Sequence, residues 1–315
     1  MNINCNKENI IYYSSKMPFP RIRKLNCEVA SLLGNGPNIP KYTFFNPSSA
    51  DPYIYIRTIE KLTNVPENIN TITIFDRKSG VLKSIHTPPN VLIPTCGFYQ
   101  GIEDVRIFIY RERLWFIASS THVTLSLHSQ MMIGYFDKNV TEVEFIQFLD
   151  FDMKPIKNMC PFVYQDKICV IDTYTLTIHE ITCEKNENDT DVYKPIVLKK
   201  LAPCAGLEPF TMRGSTSPVH LHGNIWGCVV HEHIRQAKDK TMSLSYISYW
   251  LEFDIERGMV TSFSSPFIVA QWGIEFVSGI EYYKDRDEIE LFLGVNDQHA
   301  IVARTKLHEL RVGYQ

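Results

Sequence analysis

The chain has 315 residues, 44% hydrophobic and 12% aromatic, with a formal net charge of −3. That length supports one large core or two modest ones. The near-neutral balance gives no global attraction for nucleic acid or an anionic membrane, and no apolar run approaches the roughly 20 residues that span a bilayer.

The first residues, MNINCNKENIIYY, lack the basic-then-apolar order of a secretory signal. The 8 cysteines are scattered without a C-x-x-C pair. They read as reduced, mostly buried thiols, which predicts an intracellular, cytoplasmic chain without a transmembrane segment.

No long stretch carries helical periodicity. Runs rich in β-branched and aromatic residues predict strands at 53–59, 71–75, 105–110, 114–118, 130–136, 142–148, 162–163, 168–172 and 175–181. Further strands are predicted at 225–230, 243–253, 277–283, 290–293 and 300–305. The acidic stretch 183–193 reads as a solvated hairpin tip. The pattern predicts an all-β fold.

A polar motif precedes a strand pair five times: Asn46-Pro47-Ser48, Glu103-Asp104, 157–161, Arg213-Gly214-Ser215 and 275–279. The period is roughly 55–60 residues, somewhat longer than common propeller repeats. Sheets repeated around a channel predict a five-bladed β-propeller in a single domain over 1–315. The segment 1–40 is available to close the last blade. The inner strand of each blade aims one end at a channel mouth. The motifs should therefore bring together Arg57, Glu103, Asp104, Arg106, Asn158, Arg213, Ser215, His231, Glu232, Glu275, Asn296 and Asp297.

Asp104, among apolar strand residues and beside Glu103, is predicted to have a raised pKa and to act as general acid or base. Paired carboxylates are the apparatus of glycoside cleavage. Strand alternation turns adjacent side chains to opposite faces, so only one of the two should face substrate, and Asp104 is chosen. Glu275 and Asp297 are further catalytic candidates; the alternative for Asp297 is an Asx turn.

Arg57, Arg106 and Arg213 suit phosphate or carboxylate binding, with ion pairs between neighbouring sheets as the alternative. Gly214 and Ser215 let backbone and hydroxyl donors approach an anion. No Walker or dinucleotide glycine pattern occurs, so no cofactor is expected. His231 and His233 share a strand face, but no third ligand accompanies them, so no metal is expected. His231 is instead read as a donor to a phosphate or sugar hydroxyl.

EDVRIF, RGSTSPV with WGCVVH on the following strand, and FLGVND resemble elements of five-bladed carbohydrate-active propellers, namely the inverting mannoside phosphorylases and β-mannosyltransferases. NPSSADPYIYIR is similar to their element leading to an anion-site arginine. The set IEDVR, KNMCPF, RGS, HEH, IEF-SG and GVND looks like propeller domains found near or fused to glycosyltransferases. The resemblance spans about residues 40–310. It implies Asp104 as the catalytic carboxylate, Trp226 and His231 on a phosphate-contacting strand, and Arg57 at the anion site. Three departures stand out: Val105 replaces a proline, Met159-Cys160 replaces Trp-Met, and no G-P-P-P precedes Thr216.

The implied function is a glycosyltransferase moving a sugar from a nucleotide-sugar or sugar-phosphate donor to a glycan acceptor. A hydrolase or phosphorylase of the same fold is the alternative, and a non-catalytic glycan- or protein-binding propeller is the other class.

Overall fold

The computed structural model describes residues 22–32, 42–61, 68–85, 99–100, 102–121, 129–151, 157–204, 212–238 and 241–313. They are almost entirely strand. β1 (Arg23–Lys24) and β2 (Glu28–Ser31) precede a first sheet of β3 (Tyr42–Ala50), β4 (Tyr53–Lys61), β5 (Asn68–Asp76) and β6 (Val81–Ile85). β7 (Tyr99–Gln100) runs parallel to β5. The second sheet holds β8 (Ile102–Tyr110), β9 (Arg113–Thr121), β10 (Ser129–Phe136) and β11 (Val143–Phe148). The third holds β12 (Cys160–Tyr164), β13 (Lys167–Asp172), β14 (Thr177–Lys185) and β15 (Asp191–Lys200).

In the fourth sheet β16 (Arg213–Gly214) and β17 (Val219–His222) both pair with β18 (Ile225–Lys238). β19 (Thr241–Asp254), β20 (Met259–Phe263) and β21 (Phe267–Ile268) follow, with β1 parallel to β21. The fifth sheet is β22 (Glu275–Tyr283), β23 (Glu288–Val295) and β24 (His299–Lys306), completed by β2 antiparallel to β24. One short helix, α1 (Leu307–Leu310), ends the described chain. Among the described residues no helix is long and apolar enough to cross a membrane. Cys160, Cys169 and Cys228 are buried free thiols and Cys183 is exposed; Cys5 and Cys96 lie outside the described residues.

Sheets buried on both faces need apolar residues at successive positions. β8 has that pattern: Val105 and Ile107 pack toward Tyr55 and Ile72 of the first sheet, while Phe108 packs toward Ile168 and Val170 of the third. Cys160 and Phe162 meet Val230 and Tyr249 across the third and fourth sheets. Val229 and Trp250 meet Val277 and Leu291 across the fourth and fifth. Ile54 and Ile56 meet Phe292 and Ala300 across the first and fifth. Each sheet thus shares an apolar cluster with two others. Each fully buried large side chain adds about 1.5–3 kcal/mol.

The five polar motifs lie on or beside β3, β8, β12, β16 and β22, the strands at one edge of each sheet. These edges touch: β3 meets β8 and β22, β8 meets β12, β16 meets β13, and β17 meets β22. The Ser48 hydroxyl accepts from the Ile107 amide at 3.2 Å, and the Ser278 hydroxyl donates to the Pro47 carbonyl at 2.7 Å. A Cβ at Gly214 would lie 2.3 Å from the Asn158 carbonyl oxygen, so only glycine permits that approach.

Several short strands escape prediction, and so do two long ones, β3 and β15, for physical reasons. β3 contains Pro47, which ordinarily argues against a strand; it is accommodated where the register shifts between Phe45 and Ser48. β15 is an outermost, half-exposed strand in which Pro195 and lysines hem in the short apolar run 196–198, so its apolar signature is weak. Of the segment 1–40, only 22–32 is described.

Candidate functional site

The site begins at a backbone irregularity. Asp104 has φ 50°, and the β8–β9 register shifts between Glu103 and Arg106. Such a bulge re-aims a side chain. It overturns the expectation that Glu103 and Asp104 face apart. Glu103 Oε1 lies 3.4 Å from Arg57 Nη2, and Asp104 Oδ1 lies 3.4 Å from Arg57 Nη1. Arg57 Nε donates to Asn70 Oδ1 at 2.8 Å, and Lys157 Nζ lies 3.5 Å from Glu103 Oε2. Arg57 is 8% exposed and Glu103 8%, so this ion cluster is largely withdrawn from water.

The expected raised pKa of Asp104 is also corrected. Burial alone would push it up, but Arg57, Arg106, Lys157 and a hydrogen bond from Asn46 outweigh burial and hold the carboxyl below its usual range. Asp297, exposed at the end of β23, moves the other way. The surrounding protein and the Asp104 charge push it up, against Arg57. Asn296 and Asp297 both have positive φ, and the Asn296 amide donates to the Ile274 carbonyl at 2.7 Å.

Arg106 links the carboxylates to the fourth sheet. Only 1% exposed, it donates from Nη1 to the Asp104 carbonyl at 2.9 Å and from Nε to the Ser215 carbonyl at 2.8 Å. Its guanidinium lies 5.1 Å above the Phe276 ring. The Ser215 hydroxyl lies 2.8 Å from His231 Nδ1, and His231 Nε2 lies 3.1 Å from His233 Nε2. Both nitrogens of His231 are therefore engaged, and the ring is 1% exposed. This corrects the reading of His231 as a direct ligand donor. Burial, His233, Arg106 and Arg213 hold its pKa well below the usual histidine range, so the ring is neutral. Trp226, near the other end of β18, packs on Phe162 instead.

Arg213 is exposed beside this cluster and pairs with His231 across β16 and β18. Asn158, with φ 69°, brings its carbonyl against Gly214. Asn46 Oδ1, Arg106 Nη2 and Asn158 Oδ1 are buried without a hydrogen-bond partner among the described residues. Unsatisfied buried polar atoms are few in folded proteins, and two of these three belong to residues that contact Asp104, namely Asn46 and Arg106. Burial pushes the Cys160 thiol up to about 12, so it carries no nucleophilic thiolate.

Two candidates do not join the site. Glu275 is 1% exposed, and its carboxylate accepts the amides of Val269 (2.6 Å), Ala270 (2.6 Å) and Gln271 (2.8 Å). It staples a loop. Burial raises its pKa despite those three donors. Alternation turns its neighbour Phe276 toward His231, 5.0 Å away edge-to-face, and turns Glu275 away. Glu232 likewise faces opposite to His231 and accepts from the Tyr249 hydroxyl at 3.2 Å within the core.

Four contributors went unselected in the sequence: Asn46, Lys157, His233 as a non-metal residue, and Tyr246. Tyr246 pairs directly with His233 across β18 and β19, and their rings meet edge-to-face at 4.6 Å. Burial, Asp297 and Asp104 push its hydroxyl up to about 12, against Arg213. The field of Tyr246 thus senses both carboxylates and the exposed arginine. The cross-strand aromatic partner of a motif histidine was its only sequence signal. Among the described residues no three His, Cys, Asp or Glu side chains form a metal-binding group.

The chain matches no protein-family model and no curated protein. Solved structures are similar in fold at low identity. A GDP-Man-dependent mannosyltransferase from Leishmania mexicana, MPT-1, aligns with TM-score 0.55 and 13% identity over 89% of this chain and 90% of that one. A mannose phosphorylase from Leishmania mexicana, MPT-4, in complex with phosphate ion, aligns with TM-score 0.54 and 11% identity over 89% of each chain. A glycosyl hydrolase from Bacteroides ovatus aligns with TM-score 0.53 and 11% identity over 84% of each. The chain shares the fold of carbohydrate-active propeller enzymes.

Proposed function

We propose that the five sheets are the blades of one propeller domain, closed by β2, and that its mouth transfers a sugar from a nucleotide-sugar or sugar-phosphate donor to a glycan acceptor. Five apolar clusters between five sheets support the closed ring, because an open stack of five would have four. The observation that carries the function is the division of charge at one mouth. Ionised Asp104, fixed by Arg57, faces a cationic side of Arg106 and Arg213 across a chain of direct contacts. The unpartnered Asn46 Oδ1 and Arg106 Nη2, on residues that contact Asp104, support a polar ligand there.

The geometry suits transfer in three parts. The cations oppose the diphosphate or phosphate that departs with the electron pair of the glycosidic C–O bond. The acceptor oxygen attacks the anomeric carbon. Asp104, a weak base because its pKa is depressed, orients the acceptor hydroxyl and takes its proton late in the transfer. Asp297 accepts sugar hydroxyls at the rim. His231 supports the wall and does not touch substrate.

A second reading, hydrolysis, is favoured by one observation: Asp297 is a second carboxylate near Asp104 whose pKa moves in the opposite direction, the pattern of an acid–base pair. A panel of nucleotide sugars and sugar phosphates with glycan acceptors, beside aryl glycosides in water, separates the two. Transfer predicts a product only with donor and acceptor together. Asp104→Asn should lower kcat by about 10²–10⁴; unchanged turnover removes Asp104 from the chemistry.

A further inference from the structure

The turn between β13 and β14 opens on the same side of the third sheet as the carboxylate cluster. Cys160 pairs with Ile171, so Asp172, where β13 ends, falls at the level of Met159, beside Asn158. The turn is Thr173-Tyr174-Thr175-Leu176. It is tied down along its length. Asp172, 3% exposed, accepts the Tyr174 amide at 3.0 Å on Oδ1 and the Thr175 hydroxyl on Oδ2. Leu176 sits at φ 52°, and its carbonyl accepts the Leu201 amide at 2.8 Å. Tyr174 is nonetheless 58% exposed, while every other Tyr, Phe or Trp whose side chain is described is buried or half-buried.

That turn adjoins the cation side of the mouth. The Thr173 hydroxyl donates to the Met212 carbonyl at 3.4 Å, and Met212 precedes the exposed Arg213. Contacts then run inward from Arg213. Ser215, two residues on, accepts from Arg106 Nε on its carbonyl at 2.8 Å, and Arg106 Nη1 donates to the Asp104 carbonyl at 2.9 Å. The order outward from the carboxylate is therefore Asp104, Arg106, Arg213, Tyr174. A nucleotide sugar has a matching order: sugar, diphosphate, nucleoside. An exposed aromatic ring on an anchored turn beside an arginine is a stacking platform for a base, because every base has a π-face.

We propose that Tyr174 stacks on the base of a nucleoside diphosphate whose phosphates lie against Arg213, so that the donor is a nucleotide sugar rather than a sugar phosphate. Tyr174 takes this role only if the mouth is the sugar-transfer site described above, and it then decides between the two donor classes. An acceptor glycan does not fit this position: Tyr174 lies beyond the cations, on the side to which the phosphates depart. Stacking alone does not select the base, so purine and pyrimidine nucleotides share the gain.

Calorimetric titration of the full chain with GDP, UDP and inorganic pyrophosphate tests this, since pyrophosphate carries the two phosphates without a nucleoside. Wild type should bind both nucleotides about 5- to 150-fold more tightly than pyrophosphate. Tyr174→Ala should remove that gain and bring GDP and UDP to the level of pyrophosphate, whereas Tyr174→Phe, which keeps the ring, should retain it. Should Tyr174→Ala fail to fold, Tyr174→Leu, which keeps bulk without a ring, carries the same comparison with the same expected loss. A nucleotide gain that survives either variant would overturn the proposal, because the base would be held elsewhere. Pyrophosphate bound as tightly as the nucleotides by wild type would overturn it too, and would leave the anion-site reading standing. Absence of binding by all three probes contradicts both.

Discussion

Asp104 and Glu275 show how environment, rather than residue type, assigns a carboxylate its role. Both are acids on edge strands, Glu275 buried and Asp104 partly so. Asp104 meets guanidinium groups, while Glu275 meets three backbone amides. Glu275→Gln would set an amide NH₂ against those N–H donors. It should cost about 1–3 kcal/mol in urea unfolding while leaving kcat per folded molecule unchanged; a large fall in kcat with normal stability would restore Glu275 as catalytic. The depressed pKa of Asp104 makes its ion pair a stability contribution at neutral pH. That contribution is fully present above the unfolded value of about 3.9 and is lost as pH falls through the lower folded value. The stability gap between wild type and Asp104→Asn should therefore be largest above about pH 4 and close in stronger acid, as read from urea midpoints. Asp297, raised, has the opposite sign: its ionisation opposes folding as pH rises past the unfolded value.

At the scale of elements, the strands were legible wherever a run was buried on both faces, as in β8, β9, β13 and β22, because continuous β-branched and aromatic sequence has few other uses. Strands without such a run were not. β15 offers only the short apolar run 196–198 after Pro195, and β3 hides behind Pro47. The motif positions were legible as polar interruptions before apolar strands. Their aim was not, since the positive φ of Asn46, Asp104 and Asn158 turns side chains that strict alternation would send elsewhere. The partners of Glu275 were beyond reach for a related reason: backbone amides leave no signature in side-chain sequence. Close approach of the third and fourth sheets depends on Gly214. Gly214→Ala would drive a methyl group to within 2.5 Å of Cys160 Sγ as well as onto the Asn158 carbonyl. It should destabilise by about 1–3 kcal/mol in thermal or urea unfolding; wild-type stability would mean that the two sheets do not meet there.

Across the whole molecule, the first and fifth sheets, farthest apart in sequence, are joined by a charged seam. Arg77 reaches Glu281 and Glu290, each at 3.0 Å, and the Tyr283 hydroxyl at 3.0 Å. Arg304 adds a second contact to Glu290 at 2.8 Å. Arg77→Ala would leave Glu281, already raised by burial, without its cation. It should cost about 1–3 kcal/mol and free the 281–290 hairpin to exchange amide hydrogens faster; unaltered exchange would mean that the apolar cluster alone holds the seam. The packing of the sheets brings Arg57, Asp104, Arg213 and Asp297, 240 positions apart from first to last, into one electrostatic neighbourhood. A crystal structure with a sugar phosphate soaked into it tests this account most directly. The account predicts the sugar ring against Asp104 and Asp297 and the phosphate against Arg213, with Arg106 behind it. A phosphate held by the Arg77 seam or the outer strands, with nothing bound beside Asp104, would contradict it.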